Sequence, residues 1–300
     1  MDGRVVVEAP AKVNLHLKVL GKRPDGFHDI LSLFQAVSLC DTLDLRLTPS
    51  GEIRISGEFD WPAAENTILR ASRAFLDAAG SSAGLDIRVR KRIPAGAGLG
   101  GGSSDAAAAL KALNLAFGGR LSSADLARLA VSVGSDVPFF LGGPCAIVSG
   151  RGEILEAAEA RSDYSLVVLF PGFPTRTAEA YAAVDAARES EPPTGEPAPD
   201  GVRLRIEYRK NPESWNFRND FYDVLAPGVA ELRRALEAVK ETGALFAALT
   251  GSGSAVFGVY GAESAADRAA KTLNEREGDK GRWIAAAAAP LARMPVPRLE

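Results

Sequence analysis

The segment Pro94-Ala95-Gly96-Ala97-Gly98-Leu99-Gly100-Gly101-Gly102-Ser103-Ser104-Asp105 constrains this chain more than any other. It follows a run in which Leu85, Ile87 and Val89 alternate with Asp86, Arg88 and Arg90, the period-2 pattern of a half-exposed strand. It leads at once into an Ala/Leu-rich stretch that reads as a helix to about Phe117. A strand, a run of glycines, two serines and a helix together offer backbone N–H groups to a phosphate. Glycine lets the chain approach the anion, and a helix N-terminus adds unsatisfied donors and a favourable dipole. A mere connector needs no such density of glycine, because each one costs conformational entropy on folding.

Two well-known phosphate loops do not match. Gly96-x-Gly98-x-x-Gly101 has dinucleotide spacing. A dinucleotide-fold strand, however, is buried on both faces and reads as an unbroken apolar run, whereas this strand is interrupted by Arg88 and Arg90 and followed by Arg92. No acidic residue closes a second apolar strand about twenty positions on. The Walker pattern also fails, since no Lys-Ser or Lys-Thr follows the last glycine.

Composition narrows the function classes. Three hundred residues with 35 Lys+Arg against 38 Asp+Glu give a formal net charge of −3. That balance leaves no electrostatic footprint for general nucleic-acid or membrane binding. Two cysteines (Cys40, Cys145) and two histidines (His16, His28) are too few for a disulfide framework, a Cys-rich zinc site or a His-rich metal centre. No apolar run reaches membrane-spanning length, and Met1-Asp2-Gly3-Arg4 has no signal-peptide architecture. A cytoplasmic enzyme working through carboxylates, lysines and backbone amides is expected.

Along the chain, residues 11–19 alternate strictly, which predicts a strand with one wet face carrying Lys12, Asn14, His16 and Lys18. Arg23-Pro24-Asp25-Gly26 is a turn signal. Residues 43–47 and 52–56 read as a strand pair, and residues 66–79 as a helix stopped by Gly80. Ser122 and Ser123 offer N-caps for a helix ending near Val133. A second unit starts near Asp163, with strands at 166–170, 244–249, 255–260 and 283–289 and helices at 177–187, 227–242 and 263–277. Residues 191–201, rich in Pro, Gly and acids, read as a mobile surface loop. Mixed strands and helices without an internal repeat predict two α+β lobes, divided at about 1–160 and 161–300.

The glycine segment resembles the central phosphate-binding motif of the GHMP small-molecule kinases. Two further pieces agree in order and spacing. Pro10-Ala11-Lys12-Val13-Asn14-Leu15 resembles that family's N-terminal motif, and Leu249-Thr250-Gly251-Ser252-Gly253-Ser254 its C-terminal one. The resemblance covers nearly the whole chain. It implies a two-lobed fold with the active site in the cleft between the lobes, ATP as phosphoryl donor and Mg2+ beside it. The elements Asp25-Gly26-Phe27-His28, Ser32-Leu33-Phe34-Gln35 and Gly134-Ser135-Asp136-Val137-Pro138 are similar to one branch of the family. That branch moves the γ-phosphate of ATP to the 2-hydroxyl of a CDP-linked methylerythritol, in the non-mevalonate route to isoprenoids. A kinase acting on another small alcohol or sugar is the alternative.

By the same resemblance, Asp136 is the base and Lys12 its partner. Local sequence alone reads Asp136 equally as an ordinary turn aspartate. Pro94, Ala95, Gly96, Ala97, Gly98, Leu99, Gly100, Gly101, Gly102, Ser103 and Ser104 are expected at ATP, with Asn66 and Lys91 on the adenine side. Ser103 or Ser104 either caps the helix or faces Mg2+; no protein ligand of the metal is readable. Asn14, Phe27, His28, Thr177, Tyr181, Gly251 and Ser252 are expected at the acceptor, with Phe27 and Tyr181 as the two faces of a cytosine sandwich. Gly251, Ser252 and Gly253 either reach substrate phosphates or brace the central loop. This chain has Phe27 where the family usually has Tyr, which keeps stacking but removes any hydroxyl contact. The expected partners are small-molecule substrates, without nucleic acid or membrane, and a monomer or homodimer.

Overall fold

Two long strands set the frame of the first lobe: β1 (Arg4–Lys22) and β2 (His28–Thr48) form an antiparallel hairpin closed at Arg23–Phe27. The structure is a computed structural model that describes residues 4–57, 66–190, 200–277 and 283–300. The remaining elements, in chain order, are β3 (Ile53–Gly57), α1 (Thr67–Ala79), β4 (Gly84–Arg90), α2 (Gly101–Ala116), α3 (Ser123–Val133), α4 (Val137–Leu141), β5 (Cys145–Ser149), β6 (Ile154–Ala157), β7 (Ser165–Phe170), α5 (Thr177–Ser190), α6 (Gly201–Tyr208), α7 (Asp220–Leu225), α8 (Ala230–Glu241), β8 (Phe246–Leu249), β9 (Val256–Tyr260), α9 (Glu263–Glu277), β10 (Ile284–Ala288) and β11 (Arg298–Leu299).

Among the described residues there are two sheets. The larger runs β11-β1-β2-β4-β3, with β5 and β6 branching from β2; the smaller runs β10-β7-β9-β8. The expected strand pair 43–47 with 52–56 does not form. β4 lies between β2 and β3, antiparallel to the first and parallel to the second, because the chain leaves β3 through α1 and re-enters the sheet as β4. Residues 191–199 of the expected mobile loop lie outside the described residues, and Asp200 is the side-chain cap of α6.

Helix ends follow local chemistry. The Asn66 side chain accepts from the Ile68 and Leu69 amides at 3.0 and 3.3 Å and starts α1. Gly80, at φ 59°, ends it in the left-handed conformation. Ser122 and Asp125 form a reciprocal capping box on α3. The alanines at 106–109 are all buried, so α2 packs its smallest side chains against β1 and β2. On the same face α1 buries Phe75 completely, and truncating it to Ala would cost about 3–5 kcal/mol. The opposite face of β1, β2 and β5 (Val13, Leu33, Ile147) packs on Leu166, Val168 and Phe257 of the second sheet. α8 and α9 cover the far side of that sheet through Leu236, Val239 and Leu273.

Three of the four residues of the expected wet face of β1 are buried, Lys12, Asn14 and His16 at 3%, 1% and 6% exposed, while Lys18 is half-buried. The glycine segment and the β8–β9 loop lie over Lys12 and Asn14. A register shift between Asn14 and His16 then breaks the strict alternation. His16 is carried away from its two neighbours and accepts the Arg218 amide at Nδ1. Burial, with help from Lys18 and Arg218, pulls the His16 pKa down to about 4.

Candidate active site

Against β1 and β2, bounded by the glycine segment, α5 and the β8–β9 loop, opens a cavity of about 900 Å³. Every expected site residue lines it except Gly253 and Ser104; the latter is 1% exposed, with its hydroxyl sealed away and unpartnered among the described residues. Neither serine caps the helix. Gly100, at φ 71°, holds the N-cap position of α2 without a side-chain cap, so the first-turn donors of that helix are left for a ligand. Ser103 is on that first turn and lines the cavity.

One end of the cavity is made of backbone. The Thr175 amide donates to the Gly96 carbonyl at 2.9 Å, the Ala255 amide to Ala97 at 3.1 Å and the Lys12 amide to Leu99 at 2.9 Å. Three chain segments are thereby tied to one loop. At Gly98, φ is +78° and a Cβ would collide with the Thr250 carbonyl; a Cβ on Gly251 would lie 2.6 Å from the Gly98 oxygen. Residues 251 and 98 therefore brace each other, and only glycine fits at either. Thr250, which sequence reasoning quoted within a motif but assigned no role, accepts the Asn14 amide at 3.0 Å through its hydroxyl.

At the centre stand Lys12 and Asp136. The Lys12 ammonium is 3.8 Å from the Asp136 carboxylate, 3.0 Å from the Gly98 carbonyl and 2.5 Å from the Asn14 amide oxygen. Burial lowers its pKa from the ordinary lysine value, and the Asp136 charge pulls the other way. Asp136 is fixed at the start of α4, with Pro138 in its first turn. Asn14 is a hub. Its oxygen also accepts the Gly251 amide at 2.8 Å, and its amide donates to Ser32 at 3.0 Å. It thus positions Lys12 and the C-terminal glycine loop together.

Lys91 also lines the cavity, bridging the Asp41 and Asp105 carboxylates, the latter at 2.6 Å. Burial works against its ammonium, but Asp105 and Asp41 outweigh it and the pKa is raised. Burial pushes Asp105 the other way, up to about 7, against the pull of Lys91. Asn66, expected on the adenine side, lines the cavity while its amide oxygen caps α1.

The other end of the cavity is made of side chains. His28 stacks on Tyr181, ring centroids 4.6 Å apart and planes 16° from parallel, and its Nε2 is 2.7 Å from Asp185. Asp185 also takes the Lys22 ammonium at 2.8 Å. His28 therefore covers one face of the Tyr181 ring, and Phe221 meets Tyr181 edge-on. Phe27 projects at the mouth, half exposed, with the Arg151 guanidinium 4.5 Å over its ring. Thr177 and Ser252 share a hydroxyl–hydroxyl hydrogen bond of 3.1 Å. Asp185 and Arg151 escaped sequence reasoning. Asp185 was within reach of it, because it lies four residues after Tyr181 on α5 and so on the same helix face.

Residues 66–144 match the family GHMP kinases N terminal domain, and residues 210–279 match GHMP kinases C terminal. A 4-diphosphocytidyl-2-C-methyl-D-erythritol kinase from Prosthecochloris aestuarii is 42% identical over 273 residues, covering 90% of this chain and 94% of its own. A protein of the same name from Treponema pallidum is 40% identical over 286 residues, with the same coverage. The chain belongs to this kinase family. The crystal structure of a 4-(cytidine 5'-diphospho)-2C-methyl-D-erythritol kinase overlays with a TM-score of 0.79 at 34% identity, covering 95% of this chain and 98% of that one. A homoserine kinase from Cytophaga hutchinsonii, 17% identical with a TM-score of 0.70 over all of this chain and 98% of its own, shares the fold of the GHMP kinases. No helix among the described residues is long and apolar enough to cross a membrane.

Proposed function

We propose that this chain is an ATP-dependent small-molecule kinase that phosphorylates the 2-hydroxyl of 4-diphosphocytidyl-2-C-methyl-D-erythritol, in the non-mevalonate route to isoprenoids. The identity of 42% with a kinase of that name, across nine-tenths of the chain, carries the reading. Its residue roles rest on one contact, the 3.8 Å approach of Lys12 to Asp136 in the cavity wall. Phosphoryl transfer leaves a protein mainly positioning and charge stabilisation to supply. Asp136 accepts the proton of the acceptor hydroxyl, whose oxygen attacks the γ-phosphorus while the bond to the ADP oxygen breaks. The Lys12 ammonium stands beside the nascent alkoxide and stabilises it. Residues 96–103 cradle the ATP phosphates with their amides, and Asn66 and Lys91 stand on the adenine side. Phe27, His28 and Tyr181 receive the cytosine, and Thr177, Gly251 and Ser252 border the acceptor.

Among the described residues, no three His, Cys, Asp or Glu side chains gather as a metal cage. The Ser103 hydroxyl on the cavity wall suits Mg2+, a hard cation that keeps waters and takes phosphate oxygens as its main ligands. Bound with the nucleotide, Mg2+ neutralises phosphate charge. We take residues 1–160 and 161–300 as the two lobes, the protein as cytoplasmic and the assembly as a monomer or homodimer. ADP release measured with 4-diphosphocytidyl-2-C-methyl-D-erythritol, homoserine, mevalonate and galactose tests the acceptor. Rates above background should appear with the first alone; a higher kcat/KM with any of the others overturns the choice.

A further inference from the structure

Lys12, Lys22, Lys91 and Arg151 are the lysines and arginines in the cavity wall. The three lysines each stand within 4 Å of a carboxylate: Asp136, Asp185, and the Asp41–Asp105 pair respectively. Arg151 differs. Among the described residues its guanidinium meets no carboxylate at ion-pair distance, and lies instead on the Phe27 ring. Nearby Asp25 is already engaged by Arg23 and by the Phe27 amide.

The turn that carries Arg151, between β5 and β6, is held firmly. The Gly150 carbonyl accepts the Ile30 amide at 2.8 Å, and the Arg151 amide donates to the Glu153 carboxylate at 2.7 Å. A Cβ built on Gly152 would lie 3.2 Å from the Asp136 carboxylate. One short turn therefore touches Asp136 through Gly152 and Phe27 through Arg151.

We propose that Arg151 is a specificity-determining residue that binds the diphosphate of the acceptor. The inference rests on the functional reading above, in which the reacting polyol lies at Asp136 and the cytosine at Phe27. In such a substrate the diphosphate joins those two ends, and Arg151 stands on the turn that joins the two sites. A guanidinium suits phosphoryl oxygens through paired donors, and stacking on Phe27 preorganises it. ATP supplies the same oxygens at the other end of the cavity, so the test separates the two sources.

Arg151→Ala and Arg151→Lys are compared with the unaltered chain in steady-state kinetics with both substrates varied. Binding of CDP and of cytidine is measured alongside by calorimetry. Arg151→Ala should raise the acceptor KM by about tenfold or more, the scale of a lost charge-assisted hydrogen-bond pair. The ATP KM and kcat should stay within about twofold, and Arg151→Lys should recover part of the loss. CDP should lose its advantage over cytidine in Arg151→Ala. A rise confined to the ATP KM, a fall in kcat alone, or equal weakening of CDP and cytidine overturns the proposal. An unaltered chain that binds CDP but does not phosphorylate the CDP-linked acceptor overturns the functional reading, while the CDP-against-cytidine comparison judges Arg151 without turnover.

Discussion

The two ends of the cavity are built from different materials. The donor end is backbone: glycines 96, 98 and 100 at positive φ, tied by main-chain hydrogen bonds to β1, to the segment before α5 and to the β8–β9 loop. The acceptor end is side chains, with the His28–Tyr181 stack anchored on Asp185 and Phe27 under Arg151. An added Cβ would meet the Thr250 backbone at Gly98, the Pro174 side chain at Gly96 and the Phe140 and Lys12 side chains at Gly100, so this loop tolerates few substitutions. The other end can be altered one side chain at a time, and the proposed function puts acceptor specificity there. Lys12 and Asp136 stand where the two ends meet.

Substitution at the meeting point should have the largest effect. Asp136→Asn should lower kcat by on the order of 10² or more, the usual scale of a positioned acid–base group, with both substrates still bound. Rapid-quench turnover near the unaltered rate would remove Asp136 from the chemistry. Gly98→Val comes next. The strained φ and the collision with Thr250 should weaken ATP by about tenfold or more while leaving CDP binding within about twofold. Calorimetry on the folded variant checks this, and equal losses for both ligands would erase the distinction between the ends. Phe27→Ala should show the mirror image, a roughly fivefold to tenfold higher acceptor KM at constant ATP KM, the scale of one lost base stack.

A pH profile sharpens the centre. In the proposed mechanism Lys12 acts as its ammonium, and burial lowers its pKa, so kcat at saturation should decline as pH rises through that lowered value. The alkaline limb should lie below the ordinary lysine range, and Lys12→Arg should abolish it. The smallest effect is at Asn66. Asn66→Ser keeps a helix cap, so stability should change by less than about 0.5 kcal/mol. If the amide also contacts adenine, the ATP KM should rise several-fold in that variant; unchanged kinetics would leave Asn66 as a cap only.

Much of this was legible in the sequence because it rests on local rules. The N-cap at Ser122, the stop at Gly80 and the glycine loop before α2 each need only neighbouring residues, and the structure has them. What escaped depends on distant chain. Nothing near β1 announces that its polar face is covered by loops from positions 98 and 251, so a wet strand face was expected where Lys12 and Asn14 are buried. The parallel pairing of β3 with β4 could not be read from two alternating runs, since alternation gives the face but not the partner. Arg151 was silent for the same reason: its meaning comes from Phe27, 124 positions earlier in the chain.

The most direct test of the whole is the identity of the product. The chain is incubated with ATP, Mg2+ and 4-diphosphocytidyl-2-C-methyl-D-erythritol, and the products are resolved by mass spectrometry and phosphorus NMR. One phosphoryl group should appear on the 2-hydroxyl of an otherwise intact acceptor, in step with ADP. ADP without a phosphorylated acceptor, or a phosphate on another hydroxyl, would contradict the placement of that hydroxyl between Lys12 and Asp136.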